Sequence, residues 1–217
     1  MIKVKNLFLK YRNSNFQIGP NLTMEIESGE FVGIVGESGC GKSTLAKILI
    51  GLINQSELEN FGIDQLNGEL NIATNEIDEN INYLDTTYKN LINMRKKVQM
   101  IFQNPRSSLN LNMPVLDTLM ESINLSKPNI NKKEKLKLIY QILIDVDFIQ
   151  SNIKYDDFLN LDRILLKNGK LSGGERRRVS IAKVMIMEPD IIIADEPLAS
   201  LDASIKKDVL NLLYSIV

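Results

Sequence analysis

A glycine-rich segment in the first quarter of the chain restricts its possible folds more than any other stretch. The segment Gly36–Thr44 reads Gly-Glu-Ser-Gly-Cys-Gly-Lys-Ser-Thr and directly follows the apolar run Phe31–Val35. That run predicts a buried strand, and the apolar spacing along Lys42–Ile53 predicts an amphipathic helix. Strand, glycine-rich turn and helix form the context that a phosphate-binding loop requires. The sequence therefore predicts an α/β fold with a phosphate site at this turn.

The chemistry of this phosphate loop follows from its residue types. Glycines let the backbone wrap a phosphate, so that N–H groups and the N-terminus of the next helix face the anion. Lys42 would neutralise charge on the β- and γ-phosphates, and the Ser43 hydroxyl would ligate Mg²⁺. A chance match is the alternative, and the predicted strand and helix argue against it.

An acidic pair forms a second motif far downstream. Asp195 and Glu196 follow Ile191–Ala194, which the sequence predicts to be a buried strand. An aspartate in this place can hold Mg²⁺, and the next glutamate can orient or deprotonate an attacking water. Taken alone, the pair fits a solvated strand end equally well. The phosphate loop upstream favours the catalytic interpretation.

The signature segment Leu171–Glu175, which reads Leu-Ser-Gly-Gly-Glu, is the third motif. Ser172 with Glu175 three residues later has the capping-box pattern, so we predict a helix that begins here and continues until Pro189. Three arginines, Arg176, Arg177 and Arg178, follow at once. We interpret them as a solvated helix face. Nucleic-acid binding is the alternative interpretation, and a net charge of −1 argues against it because it offers no general basic surface.

The remaining pattern gives a coarse division of the chain. Residues 54–94 show little periodic pattern, and the stretch from Asn104 to Gly169 is predicted to be mostly helical. The other predicted elements are strands at Ile2–Tyr11, Asn21–Ile26 and Val98–Phe102 and helices at Lys132–Val146 and Ile205–Ile216. The length of the chain, 217 residues, suits a single domain. The one cysteine, Cys40, fits a reducing cytosol, and the apolar stretches are too short to cross a bilayer.

These motifs occur in the order of an ABC-type ATPase domain, and the chain resembles that family over nearly its whole length. The matching segments are Tyr11, Gly36–Thr44, Gln103, Leu171–Glu175, Ile191–Glu196 and Ser200–Asp202. The resemblance implies an α/β fold: a P-loop NTPase core with an N-terminal antiparallel β subdomain and an inserted helical subdomain. It divides the single domain 1–217 into a core of 1–103 and 171–217 and a helical subdomain of about 104–170.

The resemblance also implies roles for individual residues. The catalytic residues would be Glu196, Gln103 and Lys42, and the Mg²⁺ ligands Ser43, Gln103 and Asp195. Tyr11 would stack on adenine, with a plain strand-end tyrosine as the alternative. The further ATP-contacting residues would be Gly36, Glu37, Ser38, Gly39, Cys40, Gly41, Lys42, Ser43, Thr44, Ser172, Gly173, Gly174 and Asp202.

The partners implied by the resemblance begin with a second ATPase subunit, as a homodimer or a heterodimer. The signature segment of each subunit would complete the ATP site of the other, so ATP and Mg²⁺ would be bound between them. Integral membrane permease subunits would carry the pore, an extracellular solute-binding protein would act indirectly, and nucleic acid is not expected. The location would be cytoplasmic, peripheral on the inner face of the cell membrane.

The octapeptide Gln103–Asn110 resembles the oligopeptide, dipeptide and nickel importer branch of the family. Two departures from that branch are Arg163–Lys170, which lacks its Pro-His pair, and Glu175, which replaces its glutamine. On the basis of the octapeptide, we expect an importer ATPase subunit for peptides or for nickel and other metal complexes. A soluble non-transport ABC ATPase and a non-hydrolysing regulatory subunit are the alternatives.

The chain contains no histidine. Members of the family place a histidine that contacts the γ-phosphate on a strand beyond the catalytic glutamate. We therefore expect this sequence to be truncated before the C-terminal strands, with a naturally shortened product as the alternative. In this form we expect ATP to bind but turnover to be very slow.

Overall fold

A computed structural model describes residues 1–77, 80–197 and 210. The chain forms two compact units, residues 1–98 and 99–217, and each is described by itself. The division into a core and a helical subdomain that the sequence predicts stays a prediction. The predicted helix Ile205–Ile216, apart from Leu210, and the predicted site residue Asp202 lie outside the described residues.

The first unit is built on a three-stranded antiparallel sheet with the strand order β2-β1-β3. Its elements are β1 (Ile2–Tyr11), β2 (Gln17–Ile26), α1 (Lys42–Leu49), β3 (Ile63–Ile72) and α2 (Tyr88–Lys97), with a 3₁₀ turn at Gln55–Glu57. The predicted N-terminal antiparallel sheet is confirmed, and β3 adds a strand that the sequence pattern did not reveal.

The buried face of β1 changes phase once along the strand. Ile2 and Val4 are buried, and after a bulge at which Asn6 has a φ of 50° the buried residues are Leu7 and Leu9. A bulge inserts an extra residue and so moves the following side chains to the other face. The sheet therefore keeps one apolar face despite an irregular sequence.

The second unit combines a two-stranded sheet, β4-β5, with a group of helices. Its elements are β4 (Val98–Ile101, which starts at the last residue of the first unit), α3 (Val115–Ser126), α4 (Lys132–Asp145), α5 (Tyr155–Phe158), α6 (Asp162–Leu165), α7 (Gly173–Ile186) and β5 (Ile191–Ala194), with 3₁₀ turns at Pro105–Ser107 and Asn168–Lys170. The predicted helical character of 104–169 is confirmed.

The core of this unit lies among α3, α4 and α7. Leu119, Ile139, Leu143 and Ile181 are fully buried together with Phe158. Helix α4 starts with a capping box in which Asn131 and Glu134 exchange hydrogen bonds, which fixes its first turn. Among the described residues no helix is both long enough and apolar enough to cross a membrane.

The predicted strand Phe31–Val35 is wrong. Residues 31–37 have no regular secondary structure, and all four large side chains of the run are exposed. An apolar run forms a buried strand only where neighbouring strands pair with its backbone and cover its side chains. Neither of the two described sheets includes this run.

Two further predictions on element ends and burial need correction. Helix α1 ends at Leu49 rather than Ile53, because Gly51 adopts a left-handed backbone with a φ of 68°. Strand β5 has the predicted bounds, but it is half-buried and Ala194 is exposed. With only one strand, β4, beside it in the described sheet, β5 is covered less than a central strand would be.

Candidate functional site

The phosphate loop, Gly36–Thr44, leads directly into α1. Gly41 caps the helix with a φ of 103°, and no side chain caps its first turn. A Cβ atom at Gly41 would lie 2.9 Å from Ile18 Cγ1, so only glycine fits this close approach to β2. The first N–H groups of a helix lack intrahelical partners, and together with the helix dipole they attract an anion. The loop therefore has the features of an anion site.

Lys42 points its ammonium group into the loop. The Nζ atom donates to the carbonyl oxygens of Gly36 at 2.8 Å and Glu37 at 2.7 Å, and it lies 3.7 Å from Cys40 Sγ. The side chain thus lies along the concave side of an exposed loop, beside the helix N-terminus. A positive charge in this place adds to the attraction for phosphate.

Tyr11, at the end of β1, reaches the same helix. Its hydroxyl lies 3.0 Å from Thr44 Oγ1, and its ring packs against Phe16 with the centroids 5.6 Å apart. An open cavity of about 540 Å³ adjoins the ring, lined by residues 10–15 and Asp64. The structure thus brings Tyr11 to the phosphate loop; its predicted contact with adenine stays a prediction.

Gln103 and Glu196 meet where β4 and β5 end. The Gln103 side-chain amide donates to the Glu196 carboxylate at 2.5 Å, and the Asp195 N–H donates to the Ile101 carbonyl at 3.0 Å. Glu196 has a φ of 44°, in the left-handed region that side chains with a Cβ rarely adopt. Such strained residues cluster at functional sites, which supports a role for this carboxylate.

The signature segment has the predicted capping box. Ser172 Oγ accepts from the Glu175 N–H at 3.2 Å, and the Ser172 N–H donates to the Glu175 carboxylate at 2.7 Å. Arg163 forms an ion pair with the same carboxylate at 2.5 Å. The pKa of Glu175 is lowered, first by the backbone hydrogen bond from Ser172 and further by the Ser172 side chain and Arg163. Ser172 and Gly173 remain exposed.

The interpretation of the three arginines as a solvated face is wrong for Arg177. Its guanidinium is buried and donates to the carbonyl oxygens of Phe102 and Gln103. Arg176 donates to the Leu171 carbonyl, and Arg178 forms an ion pair with Asp147. All three side chains are thus engaged within this unit.

The predicted Mg²⁺ ligands supply oxygen donors of the right kind. Ser43 carries a hydroxyl, Asp195 a carboxylate and Gln103 an amide oxygen. Mg²⁺ is usually held by one or two protein carboxylates, water and substrate phosphates rather than by a full protein cage. The described part of the chain holds no group of three or more His, Cys, Asp or Glu side chains suited to a metal. A sparse donor set is therefore compatible with Mg²⁺.

The structure brings some of the predicted site residues together within each unit. Tyr11 and the phosphate loop lie in the first unit; Gln103, Asp195, Glu196 and the signature segment lie in the second. Sequence reasoning missed Arg177, although a signal was present: residues 177, 181 and 184 share one face of α7, and Ile181 and Val184 are apolar and buried.

Asn168, just before the signature segment, was also missed. It is fully buried, and its amide donates to the Thr118 hydroxyl at 2.7 Å and to the Asn110 carbonyl at 3.0 Å. These bonds tie the turn that precedes the signature segment to α3. No local sequence pattern marks such a residue, because its partners lie far away in the chain.

Comparison with known proteins gives a consistent result. The protein-family model described as ABC transporter matches residues 20–199. The chain is 35% identical over 219 residues to an oligopeptide transport ATP-binding protein of Streptococcus mutans, covering all of this chain and 62% of that protein. It is 36% identical over 217 residues to an energy-coupling factor transporter ATP-binding protein of Mycoplasmopsis pulmonis, covering all of this chain and 69% of that one.

A solved structure supports the same fold. The dimeric structure of MJ0796, a bacterial ABC transporter cassette, superposes with a TM-score of 0.76 at 27% identity, covering all of this chain and 82% of that chain. The chain thus has the fold of ABC ATPase cassettes, while it spans about three fifths of the length of the Streptococcus mutans relative.

Proposed function

We propose a function for this chain on one premise: it belongs to the ABC transporter family. We infer that it is the ATP-binding subunit of an importer and that it couples ATP binding and hydrolysis to uptake through separate membrane subunits. The hydrogen bond between Gln103 and Glu196 carries the proposal. A phosphate loop alone leaves many functions open, whereas hydrolysis also requires a carboxylate that can orient or deprotonate water, and Glu196 is held by a specific partner as such a group would be.

In the proposed mechanism the phosphate loop holds ATP. N–H groups at the start of α1 bind the β- and γ-phosphates, and the Lys42 ammonium exchanges loop carbonyls for phosphate oxygens. Tyr11 stacks on adenine. Ser43, Asp195 and Gln103 are the proposed Mg²⁺ ligands, and the bound ion would neutralise phosphate charge.

Glu196 is the proposed general base. Its carboxylate orients a water molecule and accepts the water proton as the oxygen attacks the γ-phosphate. Gln103 holds that carboxylate through its side-chain amide, so the base is oriented before the reaction.

The signature segment is proposed to act on ATP bound to a second subunit. In its own helix Ser172 Oγ accepts from the Glu175 N–H, and rotation of this exposed hydroxyl would let it donate to a phosphate oxygen. Exposure of Ser172 and Gly173 supports this role. The MJ0796 cassette is dimeric in its solved structure, which supports pairing of this chain with a like subunit.

We propose peptides as the cargo. The Streptococcus mutans relative is named for oligopeptide transport, and the octapeptide Gln103–Asn110 points to the same branch. Nickel or other metal complexes are the second proposed cargo of that branch. Permease subunits, an indirectly acting extracellular solute-binding protein and a location on the cytoplasmic face of the membrane complete the proposal.

The test is phosphate release in a single turnover, with the chain in excess over ATP. Glu196→Gln should slow release by about 10²- to 10⁴-fold while ATP binding is unchanged. Glu188→Gln, which removes an exposed acid that pairs with Lys127, is the control and should hydrolyse like the wild type. Wild-type chain that binds ATP without releasing phosphate would identify a non-hydrolysing subunit instead.

A further inference from the structure

Arg177 lies in the interior of the second unit, on the second turn of α7. Its side chain is 2% exposed, and the guanidinium donates to the Phe102 carbonyl and, at 2.8 Å, to the Gln103 carbonyl. The described residues place no carboxylate within ion-pair distance of it. Burial without a counter-ion lowers the pKa of Arg177.

A buried cation of this kind is costly unless its donors are well used. A planar guanidinium can donate in parallel to neighbouring acceptors, and here those acceptors are consecutive backbone carbonyls. The peptide that follows β4 is therefore held at a fixed place on α7. An apolar side chain would fill the same volume without holding that peptide.

The second of these carbonyls belongs to Gln103, whose side chain donates to Glu196. Two hydrogen bonds therefore connect α7 to the Glu196 carboxylate: one from Arg177 to the Gln103 backbone, and one from the Gln103 side chain to Glu196. The signature segment forms the N-terminus of α7, and its N-cap residue Ser172 lies five residues before Arg177. Helix α7 thus connects two groups with proposed roles. The signature segment would face a second subunit, and the Glu196 carboxylate would act as the base.

We propose that Arg177 is a positioning residue, which fixes Gln103 to the signature helix and thereby sets the orientation of Glu196. The inference rests on the proposed function, because it gives Gln103 and Glu196 their roles in hydrolysis. It assigns the buried guanidinium a part in catalysis beyond packing. It also makes α7 the element through which the signature segment and the base move together.

The test is the nuclear magnetic resonance signal of the Gln103 side-chain amide, assigned by its loss in Gln103→Ala. Glu196→Ala gives the position of that signal without its acceptor. Arg177→Met should move the signal most of the way to that position, since the Gln103 backbone is no longer held. Arg178→Met removes a neighbouring arginine that pairs with Asp147, and it should leave the signal in place.

Hydrolysis gives a second readout. In Arg177→Met the single-turnover rate should fall about tenfold or more, because a small displacement of a reacting group is costly, while ATP affinity stays unchanged. Arg177→Lys keeps the charge but loses the planar fork, so it should move the signal part of the way and restore part of the rate. If Arg177→Met does not fold, the position of the Gln103 amide signal in Arg177→Lys provides the test.

An unmoved Gln103 signal in the folded Arg177 variant would overturn the inference. An equal movement in Arg178→Met would also overturn it, because the effect would then be a general disturbance of α7. The amide signal can be read whether or not the chain hydrolyses ATP. Failure of this inference is therefore distinguishable from failure of the proposed function, which shows as a wild-type chain without hydrolysis.

Discussion

Gln103 and Glu196, 93 residues apart in the chain, are joined by a hydrogen bond of 2.5 Å from the amide of the first to the carboxylate of the second. The contact lies where β4 and β5 end, and Glu196 has a strained backbone there. Strained residues are found more often at functional sites than elsewhere, which supports the role proposed for Glu196. The contact also links this carboxylate to α7, since Arg177 holds the Gln103 backbone.

Alkylation of Cys40 should weaken ATP binding. The thiol is exposed, and its sulfur lies 3.7 Å from the Lys42 ammonium in the phosphate loop. A bulky adduct would therefore occupy space needed by phosphate and displace the lysine. The measurement is titration with a fluorescent ATP analogue before and after full modification. Cys40→Ala, treated with the same reagent, should bind like the untreated wild type; unchanged binding of the modified wild type would refute the prediction.

Local patterns predicted a good part of this fold. Capping residues mark helix ends through contacts within one turn, so the start of α7 at Ser172 and Glu175 could be predicted. Strand β1 could be predicted from the alternation of apolar and polar residues on either side of its bulge. The motif residues of the candidate site were predicted from their order in the chain and stay a prediction, whereas the contact of Gln103 with Glu196 required the structure.

Features that depend on distant partners could not be predicted. Strand β3 buries Ile63, Leu66 and Leu70 at uneven spacing, so its strand character becomes clear only beside β1. The run Phe31–Val35 shows the reverse error, because its composition predicts a strand that the described sheets do not contain. Arg177 was misjudged because an arginine is usually exposed, and only its acceptors, the Phe102 and Gln103 carbonyls, explain its burial.

Glu175→Gln should change how stability depends on pH. The folded-state pKa of Glu175 lies below its ordinary value of 4.5, so its ionised form stabilises the fold. Above pH 4.5 that contribution is fully present; as the pH falls, the unfolded chain binds the proton first and the contribution is lost. Glutamine keeps the capping hydrogen bond but not the charge.

Urea denaturation of both chains provides the measurement. Well above pH 4.5 the wild type should be more stable by about 0.2–1 kcal/mol, the usual worth of a partly exposed ion pair such as Arg163–Glu175. Well below that pH the difference should vanish. Glu134→Gln, in the capping box of α4, controls for the loss of a charge at a helix start. A difference that does not change with pH would contradict the assignment.

Gly173→Ala should separate pairing from folding. Apart from adjacent residues and the backbone of α7, a Cβ at Gly173 would meet no atom within 4 Å in the described part of the chain, and the residue is the first of α7. Alanine favours helix over glycine by up to about 1 kcal/mol, so thermal stability should stay the same or rise. ATP-dependent pairing, followed by sedimentation in the Glu196→Gln background, should weaken, because in the proposed dimer the added methyl group would face the second subunit. Unweakened pairing would show that the glycine does not serve another subunit.

Binding of ATP at the phosphate loop is the central claim, and equilibrium titration with a fluorescent ATP analogue tests it most directly. Lys42→Ala should bind about tenfold or more weakly, because hydrogen bonds to charged groups contribute about 1.5–3 kcal/mol. Lys47→Ala removes an equal charge from the last turn of the same helix, α1, and should bind like the wild type. Saturable wild-type binding that is weakened only in Lys42→Ala is the predicted result; equal binding by all three chains, or none by the wild type, would contradict the account.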